Sequence, residues 1–355
     1  MDDCTMPLPT DRPSAIAAGL KNGFRQKRPD FFIVGAPKCG TTALNHYLAA
    51  HPDIYVAQKE LHFFGADLHF SPRFYRRDRD AYLAEFDAWN GQTRAGETSV
   101  WYLFSRQAAA EIKAFNPNAR IIIMLREPVA MLYSVYCAFC ADGNENLPTF
   151  KEALAAENDR RARRRISRQT YLAQALAYRT TACFTEQVRR YFDAFGRERV
   201  LVIIYDDFST DTADSYRKTL DFLGVASGGA GVAFEVINGN VNGNLSVRSR
   251  AMRAILNDPL IRRTAIGLRR WVPRRIFMAV QKTGLRLEAI NSIKSPQKRS
   301  PPELELQLSL RREFAPEVER LSALLERDLT HWSRPGAAIS EPAVALTKTK
   351  RPNPC

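Results

Sequence analysis

The chain has 355 residues, of which 45% are hydrophobic, and this composition predicts a soluble globular protein with a sizeable buried core. Its formal net charge of +14 indicates an anionic partner, although charge alone does not choose among nucleic acid, an anionic cofactor, an acidic glycan and a membrane surface. No run approaches the roughly 18 consecutive apolar residues of a membrane-spanning helix, so we expect none. The acidic N-terminus lacks the apolar segment of a secretory signal, and the six cysteines lack a regular spacing, so we expect a cytoplasmic protein with reduced thiols.

The predicted secondary structure alternates between strands and helices. Apolar runs of strand length lie at residues 31–35, 120–125 and 200–205. A helical pattern follows each of these runs, at residues 41–50, 129–140 and 211–223, and longer helices are predicted at residues 149–164, 169–195 and 303–329. Such alternation predicts a three-layer α/β fold, in which a mainly parallel central sheet is flanked by helices and followed by a helical C-terminal part.

We expect one folded domain with weakly structured ends. Residues 1–29 carry prolines and charges with little periodicity, and they are predicted to form a loosely ordered lead-in. The domain is expected to occupy residues 30–332. Residues 333–355 contain four prolines and few large apolar side chains, which predicts a disordered tail.

The segment that joins the first strand to the first helix has the pattern of a phosphate-binding loop. It reads Gly35-Ala36-Pro37-Lys38-Cys39-Gly40-Thr41-Thr42. Its two glycines have the spacing of the nucleotide-binding motif G-x-x-x-x-G-K-[ST], but Thr41 occupies the lysine position and the lysine has moved to Lys38. Backbone N–H groups at the start of a helix attract anions, so the loop is predicted to hold a phosphate group other than the γ-phosphate of ATP. The less favoured alternative is an ordinary strand-to-helix turn, and a lowered pKa of the Cys39 thiol at the helix start is a lesser hypothesis.

Two further motifs place charged side chains beside apolar segments. Lys59-Glu60-Leu61-His62-Phe63-Phe64 has a carboxylate two residues from an imidazole, which suits general-base chemistry, although a capping glutamate beside a core-edge histidine is an equal alternative. Leu125-Arg126-Glu127-Pro128 ends a strand with an arginine, and Ser134 follows eight residues after that arginine in the next predicted helix. A guanidinium and a hydroxyl placed in this way can converge on one phosphate, whereas an arginine paired with a carboxylate is the structural alternative.

Taken together, the three motifs resemble the sulfotransferase family that uses 3′-phosphoadenosine-5′-phosphosulfate (PAPS), and most closely its bacterial and glycosaminoglycan-type branch. Members of that branch share P-K-[CG]-G-T-[TR]-A-L, then K-E-x-H-F-F, then L-R-[DE]-P with a serine eight positions after the arginine. The resemblance extends from Phe31 to about Trp332 and implies the P-loop NTPase-like sulfotransferase fold.

The resemblance implies how the donor is bound. In that family the first loop holds the 5′-phosphosulfate, which implies donor binding by Pro37, Lys38, Cys39, Gly40, Thr41 and Thr42. The arginine–serine pair of the family holds the 3′-phosphate, which implies that role for Arg126 and Ser134. Lys298 and Arg299 match the last loop, which covers the cofactor.

For catalysis, the resemblance implies Glu60 as the general base, Lys38 beside the leaving 5′-phosphate and His62 at the acceptor site, with no metal ion. Two departures from the family pattern lie on the acceptor side. Where the glycosaminoglycan enzymes read E-K-[ST]-P, this chain reads Glu97-Thr98-Ser99-Val100, and Gly65 replaces an acidic residue that often follows H-F-F. The acceptor is expected to be a hydroxyl or an amine of a glycan or glycolipid, while a lipid, a phenol or a small alcohol stays open.

Two other functions stay open from the sequence. A P-loop kinase-like phosphotransferase would need the lysine that Thr41 replaces, and a non-catalytic binder of acidic glycans or nucleic acid is suggested by charge alone. Two basic clusters, with six arginines in 160–168 and nine in 248–275, are predicted to be solvated faces, an acidic-glycan surface or a helix on an anionic membrane leaflet. Nucleic acid is the less favoured partner, and a peripheral position at the inner face of the membrane is an alternative.

Overall fold

A computed structural model describes residues 28–71, 77–226, 234, 245–247, 292–294 and 301–334. The predicted lead-in at 1–29 and the predicted tail at 333–355 lie almost wholly outside these residues, so the domain boundaries stay predictions. The basic segment 248–275 and the predicted cofactor-covering pair Lys298 and Arg299 also lie outside them.

Five parallel strands form the central sheet, as the alternating pattern predicts. They are β1 (Phe31–Gly35), β2 (Ile54–Val56), β3 (Arg94–Thr98), β4 (Arg120–Leu125) and β5 (Val200–Ile204), in the order β2-β3-β1-β4-β5 across the sheet. Phe31 of β1 lies opposite Gly96 of β3 on one side and opposite Arg120 of β4 on the other. Because β3 and β4 flank β1, the carboxyl ends of these three strands form the kind of crevice in which open α/β sheets bind ligands.

Helices connect the strands and pack around the sheet, which confirms the predicted α/β fold. They are α1 (Thr41–Ala49), α2 (Arg79–Ala84), α3 (Ala108–Phe115), α4 (Pro128–Ala141), α5 (Phe150–Ala155), α6 (Glu157–Arg161), α7 (Tyr178–Thr181), α8 (Phe184–Phe195), α9 (Tyr205–Thr210), α10 (Thr212–Leu223) and α11 (Leu304–Leu325). Short 3₁₀ turns lie at Ala173–Leu176, Arg197–Arg199 and Thr330–Ser333, and the antiparallel pair β6 and β7 lies at Leu245–Val247 and Ser292–Lys294. Among the described residues, no helix is both long enough and apolar enough to cross a membrane.

The sequence pattern does not predict β2 or β3. Strand β3 contains three polar side chains, and two of them, Glu97 and Thr98, are fully buried. The Thr98 hydroxyl donates to Asn45 Oδ1 in α1 at 2.6 Å. Gly96 is required in this strand because a Cβ there would lie 2.5 Å from the ring of Phe31. Internal hydrogen bonds and close backbone packing, rather than an apolar run, therefore hold this strand in the sheet.

The helix predicted at 169–195 is wrong, because the segment divides into a 3₁₀ turn and the helices α7 and α8. Backbone groups that a continuous helix would pair internally have other partners. Arg160 Nη1 donates to the carbonyl oxygen of Leu176 at 3.2 Å. The Glu157 carboxylate accepts the backbone N–H of Arg179 at 2.8 Å. Tertiary hydrogen bonds therefore override the local helical periodicity.

Three other predicted elements are shorter than their patterns indicate. Segment 149–164 divides at Ala156 into the short helices α5 and α6. The helix predicted at 303–329 ends before Glu326, which adopts a left-handed backbone with φ 54°. The third predicted strand ends one residue early, because Tyr205 already begins α9.

A buried ion pair fixes the segment that follows α4. Arg160 Nη2 donates to both carboxylate oxygens of Glu145, at 2.6 and 2.8 Å, and both side chains are at most 1% exposed. The Tyr178 hydroxyl donates to the same carboxylate at 3.0 Å. Arg160 is therefore a structural residue, and its inclusion in a solvated basic face at 160–168 is wrong.

We expect Arg160→Met to lower the free energy of unfolding by about 3–5 kcal/mol, because it leaves the Glu145 carboxylate buried without a compensating charge. Urea denaturation measures this loss. The matched control is Arg164→Met, since the ion pair of Arg164 with Asp159 is exposed and is worth at most about 1 kcal/mol. Equal losses in the two variants would contradict the structural role of the buried pair.

Candidate active site

The loop between β1 and α1 is shaped to receive an anion. Gly40 has φ 91° and is the N-cap residue of α1, where it supplies no side-chain cap to the first N–H groups. Gly35, at the other end of the loop, has φ 149°, and a Cβ there would lie 2.5 Å from the carbonyl oxygen of Val100. Both positions therefore favour glycine, and the start of α1 leaves backbone N–H groups for a phosphate or sulfate group.

Lys59 lies across the start of α1, a role that the sequence pattern does not reveal. Its Nζ donates to Thr42 Oγ1 at 2.8 Å and to Thr41 Oγ1 at 3.3 Å. The same Nζ lies 3.9 Å from Glu60 Oε1. Burial lowers the pKa of the Lys59 ammonium, and the Glu60 carboxylate opposes this effect. One ammonium thus links the hydroxyls of the loop to the predicted base.

The predicted base Glu60 and the predicted acceptor-site residue His62 lie together. Glu60 Oε2 is 3.5 Å from His62 Nε2. Burial raises the pKa of the Glu60 carboxyl, although the charge of Lys59 counteracts it, so the group is a stronger base than a solvated glutamate. Burial lowers the pKa of His62 to about 4, so its imidazole is neutral near neutral pH. The ring packs on that of Phe70, with centroids 4.3 Å apart.

Arg126 and Lys38 meet at the carboxyl end of β4. Arg126 Nη1 donates to the backbone carbonyl oxygen of Lys38 at 3.5 Å. The guanidinium of Arg126 lies 4.6 Å from the centre of the Tyr205 ring, which adds a cation–π contact. Burial lowers the pKa of the Lys38 ammonium, and the nearby Asp142 carboxylate opposes this effect. The structure therefore brings the two predicted donor-binding cations to one place.

Cys39 turns away from this site and into the core. Its side chain is fully buried, and its thiol donates to the carbonyl oxygen of Pro37 at 3.3 Å. Burial raises the pKa of the thiol to about 12, so the hypothesis that the helix start lowers this pKa is wrong. Cys39 can contribute to the loop through its backbone, and its thiol stays protonated.

The start of α4 differs from that of α1, because a carboxylate already caps it. Glu127 accepts the backbone N–H groups of Val129 and Ala130 at 3.2 and 2.6 Å, and Arg311 of α11 lies 3.5 Å from the same carboxylate. A ligand phosphate here would therefore be bound by side chains rather than by the helix start. Ser134 lies in the second turn of α4 and is 6% exposed, and its part in the site stays a prediction.

Glu97 is a second carboxylate near the site, and the sequence gives it no role. Burial raises the pKa of Glu97 to about 7, while hydrogen bonds from Tyr82, Ser99 and Tyr102 lower it and the charge of Glu60 raises it further. Glu97 begins the motif E-T-S-V. This motif departs from the family pattern at Thr98, where the family has a lysine, and that departure indicates no role for Glu97.

The central strand of the parallel sheet leads into a helix start without a side-chain cap, and a carboxylate lies beside it. These features define an α/β protein of the P-loop-like class. A family model described as "Sulfotransferase domain" matches residues 28–240. The chain belongs to the sulfotransferase family, which confirms the resemblance that the three motifs carry.

Relatives with known names agree with this assignment. The chain is 26% identical over 219 residues to the heparan sulfate glucosamine 3-O-sulfotransferase 3B1 of Mus musculus, a match that covers 62% of this chain and 52% of that protein. It is 26% identical over 245 residues to the carbohydrate sulfotransferase 15 of Homo sapiens, covering 55% of this chain and 43% of that protein. The chain thus spans about half the length of the curated relatives it matches.

A solved structure supports the fold. The crystal structure of a sulfotransferase from Alicyclobacillus acidocaldarius is 32% identical to this chain and matches it with a TM-score of 0.61. The match covers 87% of this chain and 100% of that one. The likeness therefore includes most of the chain beyond the segment that the family model matches.

We expect the His62 imidazole to titrate near pH 4, because burial disfavours its charged form. The pH dependence of its NMR ring signals, assigned by comparison with His62→Asn, measures the pKa directly. The unfolded chain binds this proton near pH 6.5 and the folded chain does not, so stability is retained above pH 6.5 and lost as the pH falls toward 4.

The stability difference between wild type and His62→Asn should accordingly shrink by about 3 kcal/mol between these two pH values. Taking the difference removes the contributions of the other titrating groups that the two proteins share. A difference that does not change with pH would contradict the burial of a neutral imidazole.

Proposed function

We propose that this protein transfers the sulfuryl group from PAPS to a hydroxyl or an amine of a glycan or glycolipid. The observation that carries the proposal is the position of Lys59, whose ammonium contacts the Thr42 hydroxyl at 2.8 Å and lies 3.9 Å from the Glu60 carboxylate. A base held this close to an anion-binding loop suits transfer from a phosphosulfate to an acceptor aligned beside it. Membership in the sulfotransferase family supports the same chemistry.

In the proposed reaction, the acceptor oxygen or nitrogen attacks the sulfur of PAPS. A bond forms between the acceptor and sulfur, the bond between sulfur and the 5′-phosphate oxygen breaks, and Glu60 takes the acceptor proton. The raised pKa of Glu60 favours this uptake. Negative charge develops on the leaving adenosine 3′,5′-bisphosphate, and Lys38, Lys59 and the start of α1 offset it.

We assign the 3′-phosphate of the donor to Arg126 and Ser134. The cation–π contact of Arg126 with Tyr205 and its hydrogen bond to the Lys38 carbonyl hold the guanidinium beside the loop. A guanidinium binds phosphate oxygens through two N–H groups at once, which suits this role. The proposed reaction includes no metal ion, because PAPS has no β–γ phosphate pair to be neutralised.

A glycan acceptor is supported by relatives that are named for heparan sulfate and carbohydrate. The acceptor side of this chain nevertheless differs from the glycosaminoglycan pattern at Thr98, which stands where that pattern has a lysine. Thr98 is fully buried and donates to Asn45 in α1, so it does not face an acceptor. We infer that this protein recognises its acceptor through other residues than those enzymes do.

We also propose a cytoplasmic location. The cysteines in the described part of the chain, Cys39, Cys137, Cys140 and Cys183, are free, which supports a reducing compartment. Contact with the inner face of a membrane rests on the basic clusters at 160–168 and 248–275, the second of which lies outside the described residues, and it stays a prediction.

We expect Glu60→Gln to lower kcat for sulfuryl transfer by about 10²–10⁴-fold, because a general base contributes that much to a proton transfer. Transfer of ³⁵S from labelled PAPS to a panel of cell-envelope glycan extracts measures the activity. Calorimetry with adenosine 3′,5′-bisphosphate should show unchanged donor-side binding. The matched control is Glu186→Gln, an exposed carboxylate on α8. A Glu60→Gln protein that retains more than about a tenth of wild-type kcat would exclude Glu60 as the base.

A second experiment tests the donor. We expect adenosine 3′,5′-bisphosphate to bind more tightly than ATP with magnesium, and Arg126→Ala to weaken that binding about tenfold or more, since hydrogen bonds to a charged group are worth about 1.5–3 kcal/mol. Adenosine 5′-phosphosulfate, which lacks the 3′-phosphate, should bind both proteins equally. Tight binding of the triphosphate with magnesium, and none of the bisphosphate, would favour a kinase-like phosphotransferase instead.

A further inference from the structure

The segment that follows Glu60 is anchored through its own backbone. The four consecutive N–H groups of residues 61–64 donate to two hydroxyl oxygens. Ser99 Oγ accepts the first two, at 3.1 and 3.2 Å. The Tyr102 hydroxyl accepts the last two, at 2.7 and 3.2 Å. Two side chains in the segment just after β3 therefore hold the backbone that carries the proposed base.

Both hydroxyls donate a hydrogen bond to the same carboxylate, that of Glu97. Ser99 Oγ donates to Glu97 Oε2 at 3.1 Å, and the Tyr102 hydroxyl donates to Glu97 Oε1 at 3.2 Å. A hydroxyl has one proton and two lone pairs, so donation to Glu97 leaves its lone pairs for the N–H groups of residues 61–64. Glu97 thereby keeps both hydroxyls in the orientation in which they accept.

Glu97 is itself fixed by the sheet. It is fully buried in β3, where it lies in register with Phe32 of the central strand β1. Tyr82 donates a third hydrogen bond to its carboxylate at 2.8 Å. His62, by contrast, has φ 51°, a conformation that a residue other than glycine keeps only when its surroundings hold it. The hydrogen bond from the His62 N–H to Ser99, which is itself held by Glu97, supplies that restraint.

We propose that Glu97 is a positioning residue that acts through the Ser99 and Tyr102 hydroxyls to hold the Glu60 carboxylate beside Lys59 and the anion-binding loop. The inference rests on the proposed function, in which Glu60 is the base. The proposal gives Glu97 and Ser99 of the E-T-S-V motif a role that does not require the lysine found in the family at the position of Thr98. Its consequence is that loss of either hydroxyl lowers the rate of transfer although neither side chain takes part in the proton transfer.

The first test compares two hydroxyl deletions with a substitution of Glu97. Displacement of a reacting group by about 1 Å can cost 10²-fold in rate, so we expect Ser99→Ala and Tyr102→Phe to lower kcat by roughly 10- to 100-fold. Calorimetry should show binding of adenosine 3′,5′-bisphosphate within about twofold of wild type, since the start of α1 is untouched. Glu97→Gln should lower kcat in the same direction, because its amide donates where the carboxylate accepts.

The matched control is Tyr82→Phe. It also removes a hydrogen bond to Glu97 and keeps the ring that stacks on Phe63 at 4.2 Å, but its hydroxyl contacts Glu97 rather than the backbone of residues 61–64. We expect kcat of this variant to fall clearly less than that of Tyr102→Phe, because the Ser99 and Tyr102 hydroxyls still link Glu97 to the backbone of residues 61–64. A loss in Tyr82→Phe equal to that in Tyr102→Phe would overturn the positioning role, because general damage around the buried carboxylate would then explain both.

A double-mutant cycle separates positioning from loss of stability. In the Glu60→Gln background, Ser99→Ala should cause little further loss of kcat, because the carboxylate that it positions is already absent. The same fold loss in both backgrounds would overturn the proposal.

The two proposals fail differently. Wild-type protein that transfers nothing from PAPS to any glycan extract overturns the proposed function and this inference with it. Transfer that persists unchanged in both Ser99→Ala and Tyr102→Phe overturns the inference alone.

Discussion

The site depends on one ammonium group held between an anion-binding loop and a carboxylate. Lys59 contacts the Thr42 hydroxyl and lies close to Glu60, so a cation stands between the base and the place where an anionic donor would bind. Without that cation, the half-buried Glu60 carboxylate and an anionic ligand would repel each other at short range. The sheet supplies the frame, since β1 delivers the loop and the network on β3 holds the segment that carries Lys59 and Glu60.

The loop at the start of α1 could be predicted from the sequence as a candidate anion-binding site because its signal is local. Gly35, Gly40 and the two threonines that follow are nearly consecutive, and their spacing alone predicts an anion-binding turn. The contacts that hold the segment of Glu60 and His62 could not be predicted, because they join distant parts of the chain. Ser99 lies 38 residues after the backbone N–H of Leu61 that it accepts. The role of Lys59 likewise follows only from its contact with the start of α1.

The same distinction explains the fold. Strands β1, β4 and β5 are apolar runs and could be predicted, whereas β3 could not, because hydrogen bonds rather than hydrophobic side chains keep Glu97 and Thr98 inside. In segment 169–195 the pattern predicts too much: helical periodicity is present, but the helix is interrupted. Arg160, which is held by Glu145, and the neighbouring Glu157 form hydrogen bonds with backbone groups of this segment. Where buried polar groups have specific partners, the local sequence pattern can therefore miss a strand or predict a helix that does not form.

The segment that the family model matches, residues 28–240, is smaller than the unit that folds. Helix α11 lies beyond it, yet Phe314 and Val318 are buried in the core, and the Glu317 carboxylate accepts the backbone N–H of Thr185 at 2.7 Å. The same helix brings Arg311 to the cap of α4. A protein truncated at residue 240, where the match to the family model ends, would therefore expose apolar surface and lose the contact of Arg311 with the cap of α4, so the matched segment alone is not the folded unit.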